Sequence, residues 1–346
     1  MWRDCSRPEV VVRALGMLLV CTVASAFMGW KMLTRWLDRP LQITEPVIAE
    51  LPAGGNLIRF VQELGERGVL DLPNWLRLQA RLTGVADKVR AGEYRFETGM
   101  TPRELLAMLV AGKVVVYSVT LIEGNTVGQL LARLHAQERL QHTVDAADAS
   151  ALVRTLGLDP VTWPSVEGAF LSETYQFHRG MSDADVLRAA HAALEDVLAE
   201  EWATRTPDLP YADPYQALVM ASLIEKETGV ASERARIAGV FVRRLRQRML
   251  LQTDPAVIYG LGERFDGNLT REHLRTPGPY NTYLNPGLPP SPIANPGRAA
   301  IHAALHPAEG TELYFVARGD GSHEFSNTLE EHNRAVRKYQ LRRGGG

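Results

Sequence analysis

The uncharged run ALGMLLVCTVASAFMGW at residues 14–30 constrains this chain more than any other stretch. A helix rises 1.5 Å per residue, so crossing a hydrocarbon layer of about 30 Å takes roughly 20 apolar residues. The run lies near the lower limit, and Lys31, Met32 and Leu33 are available to extend it. The expectation is a single-pass anchor over 14–33, after a short cytoplasmic segment at 1–13 and before a linker at 34–46. A lipoprotein signal fits poorly, because Val20 precedes Cys21 where a small residue is needed. Cleavage after Ala24-Ser25-Ala26 competes, yet Phe27, Met28 and Trp30 continue the apolar run beyond that point. Charge barely orients the anchor, since Arg3, Arg7 and Arg13 are matched by Lys31, Arg35 and Arg39. On this reading the anchor adds no core to the domains beyond it, and a chain from Gln42 onward folds without it.

With 346 residues, 45% of them apolar, there is material for two or more domains with a real core. The net charge of −2 lacks the basic excess that binding a phosphate backbone requires, which excludes nucleic acid as a partner. Both cysteines, Cys5 and Cys21, precede or lie within the apolar run. An exported part therefore folds without disulfides and without a cysteine nucleophile or cysteine zinc site.

Residues 56–68 carry Leu57, Phe60, Val61 and Leu64 at helical spacing, with Gly68 placed to cap. A helix is expected at 75–82, then a turn at AGEY, then a helix with Thr101 as N-cap and Pro102 at its first position. The β-branched segment 114–124 reads as a strand opening a second domain, with the boundary near Lys113. Helical patterns occupy 126–137, 145–156, 183–202, 214–228 and 232–248; a late strand falls at 313–318 and a terminal helix at 328–341. The fold class is α+β.

Within the helix at 214–228 the segment MASLIEKET carries two carboxylates. At about 100° per residue Glu227 lies over Met220, Leu223 and Ile224, whereas Glu225 sits nearer an edge marked by Ser222 and Lys226. Desolvation disfavours a charged carboxylate and raises its pKa, which keeps a glutamic acid protonated near neutral pH and able to act as a general acid. Glu225 is expected to be solvated or paired with an arginine, and ion pairing is the competing account of both acids.

Downstream stretches hold Pro, Gly and Asn to shape loops, with polar side chains interleaved as in the lining of a cleft: LQTDPAVIYG at 251–260, PYNTYLNPGLPPSPIANPG at 279–297 and GSHEFSNTLEEHNRAV at 321–336. Together with EGAFLSETYQF at 167–177 and AGEYRFETGMTPRELLAMLVAG at 91–112, their order and wording resemble the endolytic murein transglycosylase (YceG-like) family over nearly all of the chain after the apolar run. That resemblance implies a small LysM-like α/β module at 47–113, associated with N-acetylglucosamine-containing glycan, and a larger mixed α/β catalytic domain at 114–343. It also implies cleavage of the MurNAc–GlcNAc bond of nascent peptidoglycan strands to 1,6-anhydroMurNAc ends, which terminates glycan elongation. Peptidoglycan synthases are the implied protein partners, and the C-terminal part lies in the periplasm, held to the inner membrane by its anchor. Lytic transglycosylases use one acid for both steps, and the Glu-Thr pair at Glu227 resembles the Glu-Ser pair of others, so Glu227 is the expected catalytic residue. Gln252, Asp254, Tyr280, Asn281, Tyr283 and Asn295 are the expected substrate-binding residues, with local turn chemistry as the competing account of each. In the LysM-like module Trp75, Tyr94 and Phe96 fit sugar stacking or core equally.

His323, His332 and Glu331 match no strong zinc spacing, and HExxH is absent, so no metal and no cofactor are expected. A phosphate-binding glycine loop and a G-x-S-x-G elbow are likewise missing. Two other readings stay open: a non-catalytic peptidoglycan-binding scaffold of the wall-synthesis machinery, and a hydrolytic muramidase.

Overall fold

A computed structural model describes residues 8–52, 54–145 and 149–340; Cys5, Arg3 and Arg7 lie outside these, as do 146–148 of the helix expected at 145–156. The chain divides into two units, one running to Val116 and including His178–Gly180, the other comprising Tyr117–Phe177 and the chain from Met181 onward.

The first unit begins with α1 (Pro8–Leu37). Its Val12–Leu37 portion is long and apolar enough to cross a membrane, with a mean hydropathy of 1.8 in its most apolar window. Leu15, Leu18, Leu19, Val23 and Phe27 are all exposed. Next come β1 (Val47–Leu51), α2 (Leu57–Glu66), α3 (Pro73–Leu82), β2 (Gly92–Phe96) and α4 (Pro102–Ala111). The strands pair antiparallel, Val47 opposite Phe96 and Leu51 opposite Gly92. Asn56 caps α2, and Thr101 with Glu104 forms a reciprocal capping box on α4. Tyr94 and Phe96 are wholly buried beside Phe60, and Trp75 packs on the same cluster, so these aromatics are core.

The expectation that the anchor adds nothing to the core is overturned. Leu33 of the expected anchor is buried in the first unit's core at the i, i+3, i+4 spacing of one helix face with Trp36 and Leu37, which, like the buried Leu41 and Ile43, come from the segment 34–46 expected to be a linker. Trp36 donates its indole N–H to Asp71 at 2.8 Å and meets Trp75 edge-on at 5.9 Å. Arg103 pairs with Asp38 at 2.7 Å. The helix continues past the apolar run because its last turn has an apolar surface to cover.

The second unit contains β3 (Tyr117–Thr120), α5 (Val127–His135), α6 (Ala149–Leu156), β4 (Thr174–Phe177), α7 (Asp183–Ala203), α8 (Pro214–Glu227), α9 (Arg234–Arg246), α10 (Asp254–Leu261), α11 (Arg298–Leu305), β5 (Tyr314–Ala317), β6 (His323–Ser326) and α12 (Leu329–Tyr339). Its strands form two antiparallel pairs, β3 with β4 and β5 with β6. Helix α8 lies against α7, α9, α10 and α11. Asp213 caps its start and Pro214 occupies the first position, where a missing N–H leaves nothing unpaired. Every residue from Ala217 to Ile224 is buried. The stretch 251–260, expected as a loop, is largely helix α10: Pro255 in a first helical turn costs no hydrogen bond, so a proline that reads as turn chemistry also starts a helix.

A chain beginning at Gln42 should unfold at lower urea concentration than one beginning at Lys31. Burying a large apolar side chain is worth roughly 1.5–3 kcal/mol, and the shorter chain lacks four such residues, Leu33, Trp36, Leu37 and Leu41. Amide exchange along β1 and β2 reports the difference; equal protection in both chains would show that the last turn of α1 contributes nothing.

Candidate active site

Glu227 is the last residue of α8, half-buried, at the wall of a cleft of about 370 Å³. The cleft is also lined by Arg244 from α9, Leu251, Gln252 and Asp254 at the start of α10, Tyr283, the β5–β6 pair and α12. Burial pushes the Glu227 carboxyl up from 4.5 to about 7, and the neighbouring Asp254 charge acts in the same direction. Opposing this, the Thr253 hydroxyl donates to Glu227 Oε1 at 2.5 Å, and the Arg244 guanidinium favours the charged form.

Thr253 is held from behind. Its N–H donates to Thr282 Oγ1 at 3.0 Å, Thr282 returns its hydroxyl to the Thr253 carbonyl at 3.2 Å, and Gln252 N–H donates to the Thr282 carbonyl at 3.1 Å. Both threonines are buried. Gln252 adopts φ +53°, a left-handed conformation that a side chain disfavours. Strain of this kind, of order 1–3 kcal/mol, persists where the surroundings fix it, here through the Thr282 carbonyl and the guanidinium of Arg244, 3.4 Å from Gln252 Oε1. Arg244 itself is buried and donates to the carbonyls of Leu250, Leu251 and Leu313. It ties α9 to the loop before α10 and to the chain entering β5.

Of the expected substrate-binding residues, Gln252, Asp254 and Tyr283 line the cleft with Glu227, and the Tyr283 hydroxyl donates to Asp254 Oδ1 at 2.6 Å. Tyr280, Asn281 and Asn295 lie outside this lining. Tyr280 packs edge-on against Tyr259 and shares a 2.6 Å hydrogen bond with Ser291. Asn281 donates to the carbonyls of Leu274 and Thr276 and accepts the N–H of Tyr283, so it shapes the turn that presents Tyr283. Asn295 is fully buried; it accepts from Phe170 N–H and donates to the Asn125 carbonyl and Glu167 Oε1. Glu167 is the second strongly perturbed acid: burial raises it to about 7, against the N–H of Val127 and the Tyr259 hydroxyl.

Glu225 does not reach solvent as expected. Its side chain is 6% exposed, it accepts Gly297 N–H at 3.0 Å, and Arg234 stands 3.7 Å away, which leaves the arginine pairing as its observed role. The reason lies in α8 as a whole. Ser222, expected at a polar edge, is buried, donates to the Val219 carbonyl and accepts Ile293 N–H. Residues 217–224 of the helix are enclosed all round, and of its last turn only Lys226 is exposed, so the edge shared by Ser222 and Glu225 is not wet. Burial raises its carboxyl, while the Gly297 N–H and Arg234 oppose the rise.

No signal in the sequence marks Arg244, Thr253 or Thr282. Thr253 does stand between two expected site residues; Arg244 lies in the basic run RRLR, where nothing distinguishes it from the partly buried Arg243 or the exposed Arg246. His323 and His332 line the cleft too. His323 bonds Glu233 at 2.8 Å, His332 stacks on Tyr314 at 5.2 Å, and Glu331 caps α12.

Residues 49–338 match the model of the YceG-like family. The chain belongs to the YceG-like family. Among its relatives is an endolytic murein transglycosylase of Bacillus subtilis, 29% identical over 343 residues, which cover 92% of this chain and 91% of that protein. An endolytic murein transglycosylase of Streptococcus pneumoniae is 25% identical over 85% of this chain and 58% of its own length. The crystal structure of a YceG-like protein from Listeria monocytogenes superposes with a TM-score of 0.54 at 29% identity, covering 84% of this chain and 99% of that one. This YceG-like chain is thus a mixed α/β protein with one N-terminal apolar helix that can span a membrane.

Two measurements test the electrostatics. Glu227 is raised when folded, so folding takes up a proton; its stabilising contribution is complete below about pH 4.5 and is lost as pH rises through about 7. Glu227→Gln should therefore gain stability over wild type between pH 5 and pH 8, by on the order of 1–3 kcal/mol at the upper end. A stability difference that is flat with pH would contradict the raised value. Thr253→Val removes a hydrogen bond to the carboxylate, so the Glu227 titration followed by carboxyl infrared absorption should move further upward.

Proposed function

We propose that this chain is a membrane-anchored endolytic lytic transglycosylase that cuts the MurNAc–GlcNAc bond of nascent peptidoglycan strands and leaves 1,6-anhydroMurNAc ends. The observation that carries the reading is Glu227: a half-buried acid with its pKa moved to about 7, in a polar cleft with Gln252, Asp254 and Tyr283. The names of the Bacillus and Streptococcus relatives support it.

The reaction needs one group in two protonation states. Protonated Glu227 gives its proton to the glycosidic oxygen as the bond from C1 breaks, and the leaving N-acetylglucosamine departs with a hydroxyl. The carboxylate then takes the proton of the C6 hydroxyl, whose oxygen closes onto C1, and no water enters. A pKa near the working pH suits both halves, because neither state is costly to reach. Asp254 supplies negative charge beside an oxocarbenium-like transition state, and Gln252 and Tyr283 hydrogen-bond sugar hydroxyl or acetamido groups. Thr253 orients the acid.

The exposed apolar face of α1 supports insertion in the inner membrane, with both units in the periplasm and within reach of peptidoglycan synthases. The strand–helix–helix–strand order of the first unit supports a LysM-like module. Its glycan contacts would have to come from residues other than Tyr94 and Phe96, which are core. Cleavage of growing strands would terminate their elongation.

One observation favours a second reading. Asp254 shares the cleft with Glu227, and two carboxylates are what a hydrolytic muramidase uses. Mass spectrometry of products from purified glycan strands decides, since the anhydro end is one water lighter than the hydrolysed end.

Glu227→Gln keeps size and much of the hydrogen bonding but has no proton to transfer. Turnover should fall by about 10²- to 10⁴-fold with glycan affinity preserved. Glu225→Gln should leave turnover near wild type, because Glu225 is engaged by Arg234 and the Gly297 N–H and stands outside the cleft lining. The assignment fails if Glu227→Gln releases anhydro ends at the wild-type rate while Glu225→Gln, folded, releases none. Wild-type protein that binds strands without cutting them would be the scaffold instead.

A further inference from the structure

Glu201, near the end of α7, faces two histidines one helical turn apart: His302 within α11 and His306 just beyond its last residue. Spacing of i, i+4 puts both imidazoles on one side, with centroids 4.3 Å apart. Glu201 Oε2 lies 2.8 Å from His302 Nδ1 and 3.2 Å from His306 Nε2, and one donor atom from each residue falls within 4.8 Å of the others. Donor atoms around a tetrahedral ion with bonds of about 2.0–2.2 Å stand roughly 3.3 Å apart, so the triangle is near the size such an ion requires. His306 Nε2 is buried and makes no hydrogen bond; Glu201 approaches it off the line of one. His302 is mostly exposed, which leaves an open side for water to complete the coordination. Two imidazoles and one carboxylate form a donor set that prefers zinc, copper or nickel over magnesium or calcium.

We propose that Glu201, His302 and His306 form a binding site for a late first-row divalent cation, represented by Zn²⁺, that ties α7 to α11. Since α11 packs on α8, the ion braces the helix that carries Glu227 while staying outside the cleft. It supplies no step of the sugar chemistry. The three ligands come from two helices distant in sequence, so the ion stabilises only the folded arrangement.

The test uses the full chain in detergent, stripped with a chelator, and Zn²⁺ titrated in competition with a chromophoric chelator at neutral pH. One Zn²⁺ per chain should bind, and saturation should raise the unfolding temperature by a few degrees. His302→Ala removes a ligand from the surface without opening the core, and should weaken binding by at least about 10²-fold and abolish the thermal shift. Glu201→Gln provides a second deletion from the other helix. With Co²⁺ as the probe, visible absorption bands should appear in wild type and vanish in both variants. Stoichiometric binding that persists in folded His302→Ala and Glu201→Gln would overturn the site. So would the absence of saturable Zn²⁺ uptake by the stripped wild-type chain.

Discussion

Burial of residues 217–224 of α8 on every side is the constraint on which the rest of the second unit depends. A helix whose residues 217–224 are all enclosed can end in two glutamates only if the surrounding segments bring each of them a partner. Those partners come from outside the helix: Gly297 and Arg234 for Glu225, Thr253 for Glu227. The Pro- and Asn-rich loop at 279–297 and the segment before α10 are therefore shaped by what the end of α8 needs. Asn295 fixes the Gly297 side through Asn125, Phe170 and Glu167. Gly168, next to Glu167, has φ +80°, and a Cβ there would come within 2.4 Å of Pro292, so only glycine lets the two segments close together.

The Glu227 side is built more loosely. Thr253 offers one hydroxyl, steadied by Thr282, and the Arg244 charge is directed mainly at three backbone carbonyls. A buried carboxylate generally receives two or three hydrogen bonds to offset desolvation, and fewer leave its neutral form favoured. Burial is what raises the acid to about 7, and a single hydroxyl does not offset it. Glu167 reaches a similar value by burial despite more donors, but its oxygens are occupied by Val127, Asn295 and Tyr259. A perturbed pKa therefore does not by itself distinguish the two acids. The cleft beside Glu227 does.

Much of this is legible in the residues themselves. Apolar spacing locates α2, α5, α7 and α9, because each of these helices buries a face and the period records it. Thr101 and Pro102 mark the start of α4 by cap chemistry that needs no tertiary context. The strands β2, β4 and β6 are not legible: each is 4 or 5 residues long and is defined by its partner strand rather than by a run of its own. Polarity in a loop-like setting points to Gln252, Asp254 and Tyr283, and equally to Tyr280, Asn281 and Asn295. It cannot separate an asparagine aimed at a cleft from one that satisfies backbone carbonyls, because both need the same amide. Wheel geometry misplaces Glu225 for a related reason. It ranks positions around one helix and says nothing of how many sides the fold covers.

The contrast between two acids two residues apart carries the chemical argument furthest. Both are desolvated, so burial alone would give both the same task. Glu225 has a backbone N–H on one oxygen and a guanidinium facing the other, partners that favour its charge and occupy it. Glu227 has a neutral hydroxyl on Oε1 and stands at the wall of a cleft beside Asp254, whose charge opposes its ionisation. An acid that must give up a proton and recover another needs an unoccupied oxygen, a ligand-sized space and a small energy gap between its two states. Of the two carboxyls that end α8, Glu227 is the one whose surroundings supply the space and the small gap.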